Sequence, residues 1–162
     1  MRIIGIDLGE KRIGIAVTDK SNKISYPLTV IENNSNIKER ILKIINEYNI
    51  GKIVIGMPYN LKGEAGHQAK IASDFVDRNL KDFNLPIVCV DERFTSKIAI
   101  NTLKGTERIK KKSGKKKSFS FKPGDTDKLS ASLLLNEYLE SLERTENKTD
   151  YIKKKNKKSI KK

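Results

Sequence analysis

The sequence predicts an α/β domain built on a mixed five-stranded sheet, and three observations carry that prediction. Two apolar runs, Arg2 to Leu8 and Arg12 to Thr18, are separated only by Gly9-Glu10-Lys11, a connection short enough for an antiparallel hairpin. Farther on, Lys52 to Met57 and Leu85 to Val90 are apolar without alternation, the pattern of strands covered on both faces in a parallel sheet. Between these two lies a stretch with helical spacing, so strand, helix and strand follow in order and imply a right-handed parallel crossover.

The first run, Ile3-Ile4-Gly5-Ile6-Asp7-Leu8-Gly9, sets one carboxylate inside a hydrophobic strand. Such a charge is costly unless a cation or hydrogen bonds satisfy it, so Asp7 either holds a structural partner or faces a metal or phosphate. A third run, Ile24 to Ile31, follows the polar turn Asp19 to Lys23, and Pro27 places it at a sheet edge. Together the first three runs read as an antiparallel meander. From Ile37 the period changes: Ile37, Ile41, Ile44, Ile45 and Tyr48 share one helical face, Asn36 and Glu39 are spaced as a cap pair, and Gly51 reads as the stop. Ala69, Ala72, Val76, Leu80 and Phe83 mark a second helix. After Asp91-Glu92-Arg93, Thr95 or Ser96 can cap a short helix ending near Gly105. In the last helix, from about Asp127 to Leu142, Ala131, Leu134, Tyr138 and Leu142 keep helical spacing. The order βββαβαβαα is that of the RNase H-like fold.

A chain of 162 residues has length for one domain but not for two lobes that clasp a ligand. Residues 1–143 read as that domain, with a basic, mobile insertion at about 106–124 and a lysine-rich disordered tail at 144–162. The formal charge of +14 points to a polyanionic partner, nucleic acid or the ribosome, ahead of a small acidic metabolite. Phe119 and Phe121 in the insertion either stack on bases or fold back onto the domain. No stretch approaches the roughly 18 apolar residues of a spanning helix, and the amino terminus enters a strand directly. A cytosolic protein with no membrane partner is expected. Cys89 stands alone, which excludes a disulfide within the chain, and its apolar neighbours make it read as a small buried hydrophobe. The single histidine, His67, reads as a polar residue near a helix start.

Parallel strands place their carboxyl ends along one edge, where ligands bind in such sheets. Glu92 stands just past the Leu85 to Val90 strand, and Asp7 near the end of the first strand. Asp127, four residues before Ala131 and seven before Leu134, projects from the inward face of the last helix at its first turn. Three carboxylates converging at one edge form an oxygen-rich site suited to Mg²⁺ or Mn²⁺. Nucleases use such sites because two metal ions roughly 4 Å apart supply both an activated water and a stabilised leaving oxygen. Each carboxylate also has a structural reading: Asp127 complementing the helix dipole, Asp125 capping, Asp91 or Glu92 pairing with Arg93. Asp91 rivals Glu92 because neighbours on a strand face opposite ways. The loop Gly56 to Gly66 follows a parallel strand and precedes a helix, so its amides can meet a phosphate, although it has neither P-loop nor dinucleotide spacing.

The segments IGIDLGEKRIGIAV, IVIGMPYNLKGEAGHQA, VDERFTS and DKLSASLLLNEYLE, in this order, resemble the YqgF/RuvX family over nearly everything from Arg2 to Glu140 apart from the basic insertion. That resemblance implies an RNase H-like fold related to RuvC resolvases. It also implies nuclease activity on the precursor of 16S rRNA or, under an older label, resolution of Holliday junctions. By motif it implies Asp7, Glu92 and Asp127 as metal-binding acids, and Lys11, Arg12, Asn60, Arg93 and Thr95 as substrate-positioning residues. Lys11 and Arg12 read equally as solvent-facing hairpin charges. The extended segment Thr106 to Gly124 and the tail after Glu143 depart from the family pattern and bear on substrate binding more than on the reaction.

The expected activity is metal-dependent endonucleolytic cleavage of structured RNA, with the ribosomal small subunit as a potential partner. Cleavage of branched DNA is the nearest alternative. An ATPase of the sugar-kinase and actin type shares the Asp-x-Gly strand end but needs two lobes. A non-catalytic nucleic-acid-binding or ribosome-binding module fits the charge equally well.

Overall fold

The computed structural model describes residues 1–57, 67–91 and 124–159, the side chains at 68, 91 and 146–159 excepted. Strands β1 (Arg2–Leu8), β2 (Arg12–Thr18) and β3 (Ser25–Glu32) are followed by helix α1 (Ile37–Tyr48), strand β4 (Ile50–Met57), helix α2 (His67–Asn79), strand β5 (Ile87–Asp91) and helix α3 (Asp125–Ser159). They form a five-stranded sheet in the order β3-β2-β1-β4-β5. β1 with β2 and β2 with β3 are antiparallel, whereas β1 with β4 and β4 with β5 are parallel. The expected meander and parallel half are both present. The expected helix between Thr95 or Ser96 and Gly105 and the basic insertion lie outside the described residues.

Alternation along each strand divides the interior into two layers. Ile4, Ile6, Ile13, Ile15, Ile53 and Ile55 pack with Ile37, Ile41, Ile44 and Ile45 of α1 and Phe75 of α2. On the other face Ile3, Ala16 and Val54 pack with Ala131, Leu134, Leu135, Tyr138 and Leu139 of α3. The sheet is therefore sandwiched between α1 and α2 on one side and α3 on the other. The isoleucines suit the pleated surface because their branched stems fill the space between neighbours. Each contributes about 1.5–3 kcal/mol through burial.

Pro27 lies on the edge strand, as expected, where the β2–β3 register shifts between Ile15 and Ala16. A missing N–H is tolerated at such a bulge. Four local expectations are corrected. α1 ends at Asn49, whose left-handed backbone (φ 53°) closes the helix, and Gly51 already belongs to β4. Asn36 makes no side-chain cap bond; Asn34 Oδ1 instead accepts from the Asn36 N–H at 3.1 Å. Cys89 is exposed because β5 is the other edge strand. Partial burial pushes its thiol up, which does not favour a thiolate nucleophile. α3 also runs past the expected end near Leu142 to Ser159, there being no glycine or proline after Gly124 to stop it.

The turn between β2 and β3 is organised by Asp19. Its carboxylate accepts from the N–H groups of Lys23 (2.8 Å), Ile24 (3.1 Å) and Ser21 (3.2 Å) and from the Ser21 hydroxyl. These donors favour the charged form and hold the carboxyl well below the usual carboxylate range. Because the folded value is depressed, the stabilisation is complete above the unfolded value near ~3.9 and is lost as pH falls through the folded one. Asp19→Asn should therefore lower the denaturant midpoint at neutral pH, with the deficit narrowing below about pH 4. A deficit of the same size at pH 7 and pH 2 would contradict this role.

Candidate active site

The site is built where α3 begins. Ile3 packs on the α3 side and Ile4 and Ile6 on the other, so alternation sets Asp7 on the α3 face, at the carboxyl end of β1. Its Cα partner on β2 is Gly14. A Cβ at Gly14 would stand 2.0 Å from the Asp127 carbonyl oxygen and 2.4 Å from its carbon. The first turn of α3 thus lies directly on β2 at the register position beside Asp7. Glycine in a strand interior marks this kind of backbone approach.

The chain enters α3 through Gly124, whose φ of +100° is a conformation that side-chain-bearing residues rarely adopt. Its carbonyl accepts from the Lys128 N–H at 3.3 Å. Asp125 and Asp127 occupy the first turn, where the helix macrodipole favours negative charge. Arg12 Nε lies 3.5 Å from Asp127 Oδ2, with side-chain exposures of 46% and 31%. The Thr126 hydroxyl donates to Asp127 Oδ1 at 3.3 Å, and Lys128 Nζ lies 2.7 Å from Asp125 Oδ1. Asp127 is thereby turned toward β2 and remains open to solvent.

Arg12 and Lys11 reach this edge on a fixed turn. The Gly9 N–H donates to the Arg12 carbonyl (3.1 Å), while Asn33 donates its N–H to the Lys11 carbonyl and its side-chain amide to the Gly9 carbonyl, each at 3.0 Å. Asn33 is a positioning residue that the sequence reading missed. The turn-forming pair Asn33-Asn34 directly after β3 is its signal.

Of the expected site residues, Asp7, Lys11, Arg12 and Asp127 are described and share this edge. Glu92, Asn60, Arg93 and Thr95 lie outside the described residues. Among the described residues no three His, Cys, Asp or Glu side chains form a group that could hold a metal ion, the third expected carboxylate being Glu92. Among them also, no helix is long and apolar enough to cross a membrane.

A β3-β2-β1-β4-β5 sheet with its last helix laid across β1 and β2 defines an RNase H-like domain. The chain belongs to the RuvX family, described as Holliday junction resolvase, which matches residues 1–141. Among its relatives, a protein of Sulfurihydrogenibium sp. (strain YO3AOP1) named "Putative pre-16S rRNA nuclease" is 43% identical over 153 residues, covering 93% of this chain and 97% of the relative. A protein of the same name from Thermoanaerobacter pseudethanolicus is 41% identical, covering 87% of this chain and 97% of the relative. Among solved structures, the fowlpox virus resolvase with Holliday junction DNA superposes with a TM-score of 0.53 at 17% identity, covering 88% of this chain and 99% of that one. T. thermophilus RuvC in complex with a Holliday junction gives 0.51 at 15% identity, covering 83% and 91%. At these identities the structures attest the fold.

The close seat of α3 yields a graded expectation. At Gly5 an added Cβ would meet the Ala131 carbonyl oxygen and Leu135 Cβ at 3.0 Å each, a milder conflict than at Gly14. Gly14→Ala should cost about 1–3 kcal/mol in urea unfolding, and more than Gly5→Ala. Equal costs would contradict the tighter seat at Asp127.

Proposed function

We propose that this chain is a metal-dependent endonuclease that hydrolyses phosphodiester bonds in structured RNA, with the precursor of 16S rRNA as substrate during small-subunit maturation in the cytoplasm. The observation that carries this reading is the seating of Asp127 on Gly14, the strand partner of Asp7, which brings carboxylates distant in sequence to one solvent-open edge. The names of the relatives support RNA as substrate.

The donor set fits a hard divalent cation, Mg²⁺ or Mn²⁺, because its described members are carboxylates with no sulfur or imidazole. Asp7 and Asp127 would hold it together with Glu92. Val88 and Val90 pack with the α3-side core and Ile87 with the opposite one. Glu92 is taken ahead of Asp91 because it is the acid that the family resemblance carries over. When bound, the cation supplies an activated water and stabilises charge on the leaving oxygen. Asp7 and Asp127 sit on rigid elements, so they need little rearrangement to ligate. Arg12 and Lys11, on the turn tied by Asn33, put positive charge where a phosphate would approach. Asn60, Arg93 and Thr95 are assigned to substrate positioning.

Resolution of branched DNA is the second reading, favoured by the family description and by the junction-bound structures of the same fold. A precursor-type RNA and a four-way DNA junction offered side by side decide between them. Asp7→Asn, Glu92→Gln and Asp127→Asn should each slow cleavage of the preferred substrate by about a thousand-fold, the loss expected when several kcal/mol of metal-derived stabilisation disappear. Their far-ultraviolet circular dichroism should stay unchanged. Undiminished cleavage by Asp7→Asn, or no metal-dependent cleavage of either substrate by the native chain, would overturn the assignment.

A further inference from the structure

α3 leaves the sheet well before it ends. Among its described side chains the last buried one is Leu139, and Glu140 through Thr145 are all exposed, yet the helix continues to Ser159. Its direction is fixed at two points: Asp127 lies on Gly14 at the carboxyl edge of β1, and the Lys52 ammonium donates to the Tyr138 hydroxyl at 3.1 Å, Lys52 being the Cα partner of Ile3 near the start of β1. The helix therefore crosses the sheet from the acidic edge and passes out beyond the opposite edge. The match to the family model ends at residue 141, before the extension begins.

From 146 to 159 the helix carries six lysines, Lys148, Lys153, Lys154, Lys155, Lys157 and Lys158, against two acids, Glu146 and Asp150. Past Thr145 its large apolar residues are Tyr151 and Ile152 alone up to Ser159, too few to make the apolar stripe of a coiled coil or of a membrane-surface helix. Lys153 with Lys157 and Lys154 with Lys158 are spaced i,i+4, where like charges repel. A run of like charges with no apolar stripe favours an anion arrayed along it over a packed protein partner. In a chain of charge +14, a polyphosphate backbone is the complementary partner.

We propose that the α3 extension is a second nucleic-acid-binding surface, gripping the phosphates of a duplex remote from the cleavage edge. Along the helix axis Lys153 lies about 39 Å from Asp127. A substrate that engages both must therefore extend roughly a dozen base pairs from the scissile bond. The proposal rests on the nucleic-acid substrate of the reading above.

The full chain and its variant carrying Lys153→Gln, Lys154→Gln, Lys157→Gln and Lys158→Gln are titrated, without divalent metal, against RNA duplexes of about 8 and about 30 base pairs at several salt concentrations. For the long duplex, the slope of log K against log salt should be shallower in the variant by about 3, and affinity near 0.1 M salt at least ~10-fold lower. The short duplex should bind both proteins alike. Helix content of the native chain should rise on adding the long duplex. Equal affinity and slope for the two proteins would overturn the proposal, showing a solvated charge run. Extension-dependent binding to phosphatidylserine vesicles with no effect on the duplex would overturn it in favour of a membrane surface. Asp7→Asn keeps the tests apart: loss of the nuclease reading leaves length-dependent binding intact, and loss of length dependence leaves cleavage intact.

Discussion

The contact between the backbone of Asp127 and the bare Cα of Gly14 is the constraint on which the rest of the structure depends. Gly14 leaves no room for a side chain, with the Asp127 carbonyl oxygen 2.0 Å from where a Cβ would stand. Gly5 and Ala16, paired across β1 and β2, continue the shallow seat under Ala131 and Leu135. A helix normally stands off a sheet by the depth of its side chains. Here small residues let its first turn come down onto the strand, and the helix axis is set by that approach before Leu134, Leu135 and Tyr138 fill the space beyond.

Two structural consequences follow from one placement. Toward the carboxyl edge of β1, the seat presents Asp127 beside Asp7, where Arg12 offsets part of the negative charge. Toward the opposite edge, the same axis carries α3 off the sheet after Leu139. The opposite layer has no such requirement. There α1 and α2 pack on isoleucines, and this layer supplies much of the buried apolar surface.

The fold was legible because its elements differ in period. Isoleucines at every second position of β1 and β2, an uninterrupted run in β4, and the 3.6-residue spacing of Ile37, Ile41 and Ile44 each define an element without reference to any partner. Pro27 announced the edge for the same reason, as it lacks a donor. What stayed hidden was set by backbone geometry. Asn49 ends α1 because asparagine tolerates the left-handed conformation, whereas Gly51 is the residue that composition alone selects. The side-chain bond at the entry to α1 is made by Asn34 to the Asn36 N–H, not by Asn36 to the first turn. The end of α3 was misjudged because the apolar residues at helical spacing run out at Leu142, and the pattern carries no information past that point. At the site, Asp7 was legible as a charge in an apolar strand, and Asp127 by its helical spacing to Ala131 and Leu134. Asn33 was not, because it acts through carbonyls of a turn distant in sequence. Gly5 and Gly14 held a signal that the sequence reading did not use, since glycine inside an apolar strand marks close backbone approach.

The central claim is that Asp7 and Asp127 are brought to one edge in order to share a divalent cation with Glu92. A crystal of the protein soaked in Mn²⁺, with the ions located by anomalous scattering, tests this most directly. The account predicts one or two ions with carboxylate oxygens of all three residues within about 2.0–2.3 Å. Ordered Asp7, Glu92 and Asp127 carboxylates too far apart to share an ion, with Mn²⁺ bound elsewhere, would contradict it.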